Sequence, residues 1–443
     1  MAKYQSYAEY KDSGVEWLGE IPSHWEVVPI GRLFTRLKRT GFSNKELLSV
    51  YRDYGVIPKS SRDDNNNKPS DDLGLYQLVQ PNDLVMNKMK AWQGSIAISE
   101  YEGIVSPAYF VYQPLTVLFT KAFPKYVHYL LRNPRYIAQY LRQSKGIRVN
   151  QWDLDPEEFQ RIELLLPPKA EQNQIFNFLD HETAKIDRLI AKQEQLIALL
   201  QEKRQAVISH AVTKGLNPDA TMKDSGVEWL GQVPEHWVVK SYKFACKIYR
   251  GKFGHRPRND PAFYDGQYPF IQTGDIARAG KYVTEYSQTL NDRGKEVSQL
   301  FPTGTLMMTI AANIGDTAIL GFEAYAPDSV VGFKPSLDLD IDFLRFSFDA
   351  AFPALEQTST QSTQANLNVD RIGAVQAAFP SLMEQKEIVS YLDKILNQYK
   401  EITLKSQEQI KLMQERRTAL ISAAVTGKID VRDWQAPQDA ILS

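Results

Sequence analysis

Residues 11–27 read KDSGVEWLGEIPSHWEV, and at an offset of 212 residues 223–239 read KDSGVEWLGQVPEHWVV. Thirteen of these 17 positions are identical. Further along the chain, EQNQIFNFLD from Glu171 returns as EQKEIVSYLD from Glu384, and QEKRQAVISHAVT from Gln201 returns as QERRTALISAAVT from Gln414, both at an offset of 213. Matches at nearly one spacing define a duplicated unit of about half the chain. Between the matched blocks, residues 29–165 and 241–379 diverge, with only fragments in common, such as Gly94 against Gly315 and Pro107 against Pro327. A shared frame around unlike bodies suggests common scaffolding with two separate specificities. Simple drift after duplication accounts for the repeat, but not for why the frame alone stayed alike.

The later blocks have helical periodicity. Ile388, Leu392, Ile395, Tyr399 and Ile402 follow the 4,3,4,3 spacing of a coiled-coil seam. Ile175, Leu179, Ile186, Leu189, Leu196 and Leu200 keep the same register, interrupted by Glu182 and Gln193. Prolines precede each block (Pro167, Pro168; Pro380) and glycines follow (Gly215; Gly427), as start and stop signals should. About 43 residues at the helical rise predict rods of roughly 60 Å. A narrow apolar stripe needs a partner. The other copy is the obvious one, and parallel, antiparallel and intermolecular pairing all satisfy the pattern. In the bodies, short apolar runs at 267–276, 305–320 and 328–335 read as strands and turns, and 124–143 as helix broken near Pro134. The expected fold class is mixed α/β, divided as 1–165, 166–216, 217–379 and 380–443.

Hydrophobic residues make up 43% and charged residues 24% of the 443, as in soluble globular proteins. The single cysteine, Cys246, supplies neither an internal disulfide nor a thiolate cluster. The start of the chain lacks an apolar targeting segment, and no stretch reaches the length of a membrane span, so a cytoplasmic protein is expected. A net charge of −1 argues against a uniformly basic surface. Two runs are nevertheless free of acids: one holds Lys121, Lys125, Arg132, Arg135, Arg142, Lys145 and Arg148, the other Lys240, Lys243, Lys247, Arg250, Lys252, Arg256 and Arg258. Tyr126, Tyr129, Tyr136 and Tyr140 interleave with the first, Tyr242, Tyr249 and His255 with the second, and this mixture favours nucleic acid over a merely solvated face. Residues 241–379 total 13 basic against 15 acidic residues, so a DNA face there must be confined, whereas residues 29–165 hold 19 against 14.

Catalytic motifs are missing. The closest stretch to a phosphate-binding loop, GDIARAGKY at 274–282, has one residue too many and no hydroxyl residue after Lys281. The six histidines form no HExxH or Cys/His cluster, and His24 and His236, in equivalent HW pairs, read as packing or backbone-bonding residues. Glu384 and Lys386 form an E-x-K whose repeat partner is Glu171 and Asn173, so Glu384 reads as helix N-terminal chemistry rather than a nuclease carboxylate.

The duplicated SGVEWLGxxPxHW entry, GKFGHRPR at 251–258, YPFIQTGDI at 268–276, GTLMMTIAANIGDTAIL at 304–320, TQANLNVDRI at 363–372, FPSLMEQKEIVSYLD at 379–393 and RRTALISAAVTGKID at 416–430 together closely resemble the DNA-specificity subunits of Type I restriction–modification systems. The resemblance covers essentially the whole chain. It implies two target recognition domains separated by an antiparallel two-helix coiled coil with pseudo-twofold repetition, each domain reading half of a split double-stranded DNA sequence and the helices acting as a ruler. It also implies a non-enzymatic chain that binds no cofactor or metal. Two partner methyltransferase subunits carry S-adenosylmethionine and modify adenine, and partner restriction subunits, a motor-nuclease using ATP and Mg, cut DNA. The competing expectations are a methylation-only or other defence system, and a coiled-coil scaffold for proteins.

The expected DNA contacts follow from the clusters. In the first body they are Arg36, Lys38 and Arg39; Lys88, Lys90, Trp92 and Gln93; and Lys145, Arg148, Asn150 and Gln151. In the second they are Arg250, Lys252, His255, Arg256 and Arg258, on a loop expected to be flexible; Gln272, Thr273 and Asp275; and Gln361, Ser362, Gln364 and Asn366. Arginine forks suit phosphates and guanine edges, and amides suit base edges.

Overall fold

The computed structural model describes all residues except 1–3, 53, 63–68, 71, 149–150, 312–313, 358–366 and 437–443, with backbone alone at 147, 148, 151 and 357. The chain forms two compact units, one of residues 1–193 and 408–443, the other of 194–407. Two long helices, Lys169–Lys214 and Leu382–Val425, begin after the prolines read as start signals. Each unit therefore contains the beginning of one helix, the end of the other and one α/β body.

The frame elements recur in both units. Strands Tyr10–Asp12 and Glu20–Pro22 form a hairpin matched by Met222–Asp224 and Gln232–Pro234. Glu26–Pro29 pairs with Glu163–Leu166 as Val238–Ser241 pairs with Gln376–Phe379, bringing each body's entry beside its exit into the helix. The bodies also share more than their sequences show. The first has an antiparallel sheet in the order Phe34–Leu37, Tyr109–Pro114, Leu84–Asn87, Ile96–Ile98. The second repeats that order with Cys246–Arg250, Val330–Pro335, Leu306–Thr309 and Thr317–Leu320, and adds Tyr282–Val283 in parallel at the edge. Gly94 and Gly315 occupy the equivalent turn in these sheets, both at φ +92°. There a Cβ would meet Ile137 at 2.8 Å or Phe352 at 2.0 Å, so both conformation and space require glycine. Against this common sheet the first unit packs helices Pro124–Leu131 and Pro134–Gln143, split at Pro134 as expected, and the second packs Ile341–Gln357.

Each body is clamped to its helix by two adjacent side chains. Glu171, buried in the first turn of the first helix, accepts from Trp25 Nε1 at 3.0 Å and the Tyr7 hydroxyl at 2.6 Å, and its other oxygen lies 2.7 Å from His24 Nε2. Gln172 donates to the carbonyls of Pro167 and Lys121 and accepts from Phe123 N–H. In the other unit Glu384 takes Trp237 Nε1 and His236, each at 3.0 Å, while Gln385 donates to Pro380 and Asp338 and accepts from Asp340 N–H. His24 and His236 therefore bond carboxylates rather than backbone, because the glutamate expected only to complement the helix dipole also supplies the acceptor.

The glycine that ends each helix completes the clamp and shows its direction. Gly427, at φ +71°, lies so close to Pro22 that a Cβ would sit 2.5 Å away, and Trp25 is next, at 3.3 Å. A Cβ on Gly215 would lie 3.3 Å from Trp237 and 3.5 Å from Glu384. In each unit, then, the end of one helix meets the start of the other, and the paired segments run antiparallel. The Arg417–Asp187 ion pair, 3.0 Å, ties the pair in the first unit.

Ile175, Leu179, Ile186, Leu200, Ile388 and Leu392 are buried in the seam, and Ile395 and Tyr399 are half-buried. Leu189, Leu196 and Ile402 are not seam residues, at 46%, 37% and 41% exposed. Their neighbours Ile190, Ile197 and Thr403 are half-buried in their place. Both registers follow heptad spacing from Ile186 to Leu200, and packing selects the one that steps by four before three.

Glu171→Ala is expected to destabilise its unit by about 3–5 kcal/mol, because it leaves the Trp25 and Tyr7 donors buried without an acceptor. Glu384→Ala, at a carboxylate 26% rather than 5% exposed, should cost about 1–2 kcal/mol. Urea unfolding followed by tryptophan fluorescence checks this order.

Candidate nucleic-acid interface

In the first sheet, strands Phe34–Leu37 and Leu84–Asn87 both run antiparallel to Tyr109–Pro114, so both finish at the end where that strand begins. Residues 38–39, the 88–95 turn and the approach to Tyr109 therefore share one sheet end, which collects clusters lying far apart in sequence. Arg36 is exposed with its guanidinium 4.1 Å from the centre of the Phe110 ring, and Lys88 Nζ is 4.7 Å from the same ring. Among the described residues neither cation is ion-paired to a carboxylate. Two cations held against one aromatic ring concentrate positive charge at this end of the sheet. Lys38, Lys90 and Gln93 are exposed around it.

The hairpin Ser144–Arg148 and Gln151–Leu154 joins the same end: Trp152 packs on Trp92 with centroids 5.1 Å apart, and Leu154 N–H bonds the Lys88 carbonyl. Trp92 also donates Nε1 to Met89 O, and Lys145 is exposed on the hairpin. Asn150 and the side chains of Arg148 and Gln151 lie outside the described residues.

Arg39 differs from its neighbours. It binds Asp83 and Gln80, with 18% of its side chain exposed, and is structural rather than a free contact. Burial raises the Asp83 carboxyl, and the Gln80 N–H and Arg39 oppose that shift. Of the tyrosines expected to interleave with the basic runs, Tyr129 and Tyr249 are half-buried and the others are internal. Tyr126, Tyr136, Tyr140 and Tyr242 are fully buried, and their hydroxyls are satisfied by Leu165 O, Leu165 N–H, Leu131 O and Ser347. Aromatic positions in these short helices form the apolar face, while Lys121 and Lys125 on the outer face pair with Glu26 and Glu100. Acids distant in sequence thus neutralise part of a run that contains none.

The second sheet presents the equivalent end. Arg250 closes its first strand, and the chain enters 251–258 beside residues 327–330. A Cβ on Gly251 would come within 1.9 Å of Pro327 O, so only glycine lets these backbones meet. The loop expected to be flexible is tied down along its length. Phe253 is buried among Phe263, Tyr264 and Phe270. His255 stacks on Phe263 with centroids 4.0 Å apart and bonds Asp260 at 3.0 Å. Arg256 donates to the carbonyls of Phe253 and His255, and Asp328 holds it at 3.6 Å together with Arg258. Lys252, Arg256 and Arg258 remain exposed on this rigid support.

Gln272 and Thr273 are partly exposed at the start of the helix Thr273–Arg278. Asp275 is buried instead: its carboxylate accepts from Gln272 N–H at 2.8 Å, Ser287 Oγ at 3.3 Å and Arg278 at 2.5 Å, which makes it a cap and brace rather than a base contact. Gln361, Ser362, Gln364 and Asn366 lie outside the described residues. Leu367, just beyond them, bonds the Ile310 carbonyl in the way that Leu154 bonds Lys88. Sequence reading missed Phe110, Trp152, Asp328, Ser287 and Gln288, whose relevance comes from neighbours in space; no local pattern marks them, and the acid next to the second basic run in sequence is Asp260.

Among the described residues no group of three or more His, Cys, Asp or Glu is placed to hold a metal ion, and no helix is long and apolar enough to cross a membrane.

Residues 22–199 and 234–412 each match the Type I restriction modification DNA specificity domain. The chain belongs to that family. It is 19% identical to the Type I restriction enzyme EcoKI specificity subunit of Escherichia coli K12, over 96% of this chain and 93% of that one. It is 24% identical to the MjaVIII specificity subunit of Methanocaldococcus jannaschii, over 93% and 95%. Among solved structures, a chain from a study of complex assembly and conformational transition of the type I R-M system superposes with a TM-score of 0.69 at 16% identity, covering 91% of this chain and 98% of the other. The HsdS subunit of Thermoanaerobacter tengcongensis gives 0.52 at 16% identity, over 92% and 98%. The resemblance read from the motifs is therefore family membership: this is a DNA-specificity subunit of mixed α/β fold, not itself an enzyme, and the family implies no cofactor on this chain.

Replacing Arg36 or Lys88 by alanine should weaken DNA binding similarly across sequences and reduce the slope of log affinity against log salt by about one each. Arg39→Ala should instead lower stability by about 3 kcal/mol, because buried Asp83 loses its cation. Salt-titrated binding and urea unfolding of the three variants distinguish these roles.

Proposed function

We propose that the two bodies are target recognition domains, each reading one half of a split double-stranded DNA sequence through the sheet end described above. The observation that carries this reading is the repetition of one sheet, at the same end, with unlike polar and basic clusters mounted on it. Frame residues keep equivalent partners in both units, whereas the reading ends share almost none. In this proposal residues 1–165 and 217–379 recognise DNA, and the long helices at 166–216 and 380–443 set the spacing of the half-sites and dock partner subunits.

The partners are two methyltransferase subunits carrying S-adenosylmethionine, and restriction subunits using ATP and Mg, in the cytoplasm with the DNA. This chain's contribution is selection and placement. Its arginines and lysines supply phosphate contacts that fix register, and its amides and arginine forks supply base-edge contacts.

Exchanging residues 241–379 for the corresponding body of another family member should change one half of the recognised sequence and leave the other intact. Sequencing of methylated sites in cells carrying the hybrid with its methyltransferase checks this; a change in both halves, or in neither, overturns the modular reading.

A further inference from the structure

In the second body Gln272 and Gln288 are bonded amide to amide: Gln272 Nε2 donates to Gln288 Oε1 at 2.9 Å. The bridge joins the N-cap of the helix Thr273–Arg278 to the first residue of strand Gln288–Leu290, and both side chains reach solvent. Buried Asp275 fixes both sides, since one carboxylate oxygen takes the Gln272 N–H and also the hydroxyl of Ser287, next to Gln288. The pair lines a cleft of about 420 Å³ that Arg258, Asn259 and Ser329 also line, at the sheet end that carries the basic loop.

We propose that Gln272 reads an adenine in the major groove of the C-terminal half-site, and that Gln288 is the positioning residue that orients its amide. With one amide proton engaged by Gln288, Gln272 presents one carbonyl acceptor and one N–H donor on the same edge. If both amides turn over together, the edge still presents one of each. Adenine offers the complement, an N6 donor beside an N7 acceptor, whereas guanine offers two acceptors in O6 and N7. Arg258, with its fork on the same cleft, suits an adjoining phosphate or guanine. Asp275 braces the backbone on which this geometry depends and does not itself touch DNA.

This inference rests on the reading of residues 217–379 as a half-site reader, and one experiment separates the two. The full chain, assembled with its methyltransferase partner, selects bound duplexes from a random-sequence pool, as wild type and as Gln272→Ala and Gln288→Ala. Wild type should select a split sequence. Gln272→Ala should lose roughly 10- to 100-fold discrimination at one A·T position of a single half, leaving every other position unchanged. Gln288→Ala should relax the same position less. An unchanged profile for Gln272→Ala, relaxation at a G·C position, or a uniform loss across all sequences overturns the adenine assignment while the half-site reading stands. A wild-type chain that selects no split sequence overturns both, before any variant is compared.

Discussion

A carboxylate and an amide side by side in the first turn of each long helix, Glu171–Gln172 and Glu384–Gln385, hold the structure of both units. Each carboxylate is removed from water to different degrees and takes an indole N–H and an imidazole from the HW pair about 147 residues upstream. Each amide closes the carbonyls and N–H of the segment leading into the body's helix. A buried acceptor is costly unless its donors are present, and the donors are costly without it. Changing one of these residues alone leaves its partners without a bond, and the indole also lies against the glycine ending the other helix. This mutual dependence explains why the frame remained alike while the bodies diverged.

Within that frame the bodies have more freedom than their common sheet suggests. Hydrogen bonding along the strands needs no particular side chains, so the same strand order is built from almost unrelated sequences. What must recur is the turn between the third and fourth strands, where a left-handed backbone and a close neighbour leave room only for glycine. Loops at the ends of these strands bear none of the frame's load. In one body they gather cations on Phe110; in the other they anchor a loop on Phe253 and Asp328 and present a pair of amides.

Electrostatics follows the same division. A net charge of −1 is compatible with a DNA-specificity chain because local potential, not the total, meets the phosphates. Several basic residues serve the fold instead, as Arg39 does for Asp83 and Lys121 for Glu26. Those left at the sheet ends are fewer than the acid-free runs imply, and they are held by aromatic rings and turns.

The sequence by itself determined the duplication, the two rods with their proline starts and glycine stops, the helix break at Pro134 and the family. These are written in local spacing and in residues whose backbone demands are severe. It also singled out Arg36, Lys88, Trp92 and Lys145, which folding gathers at one end of a sheet. Only the tertiary structure decided which heptad register is packed, placing Ile190, Ile197 and Thr403 rather than Leu189, Leu196 and Ile402 against a partner. It alone turned Tyr126, Tyr136 and Tyr140 inward, gave Asp275 and Arg39 to the scaffold and set Gln288 beside Gln272. A side chain's periodicity and charge are local properties, but its exposure and its partner depend on residues tens to hundreds of positions away, brought near only by folding.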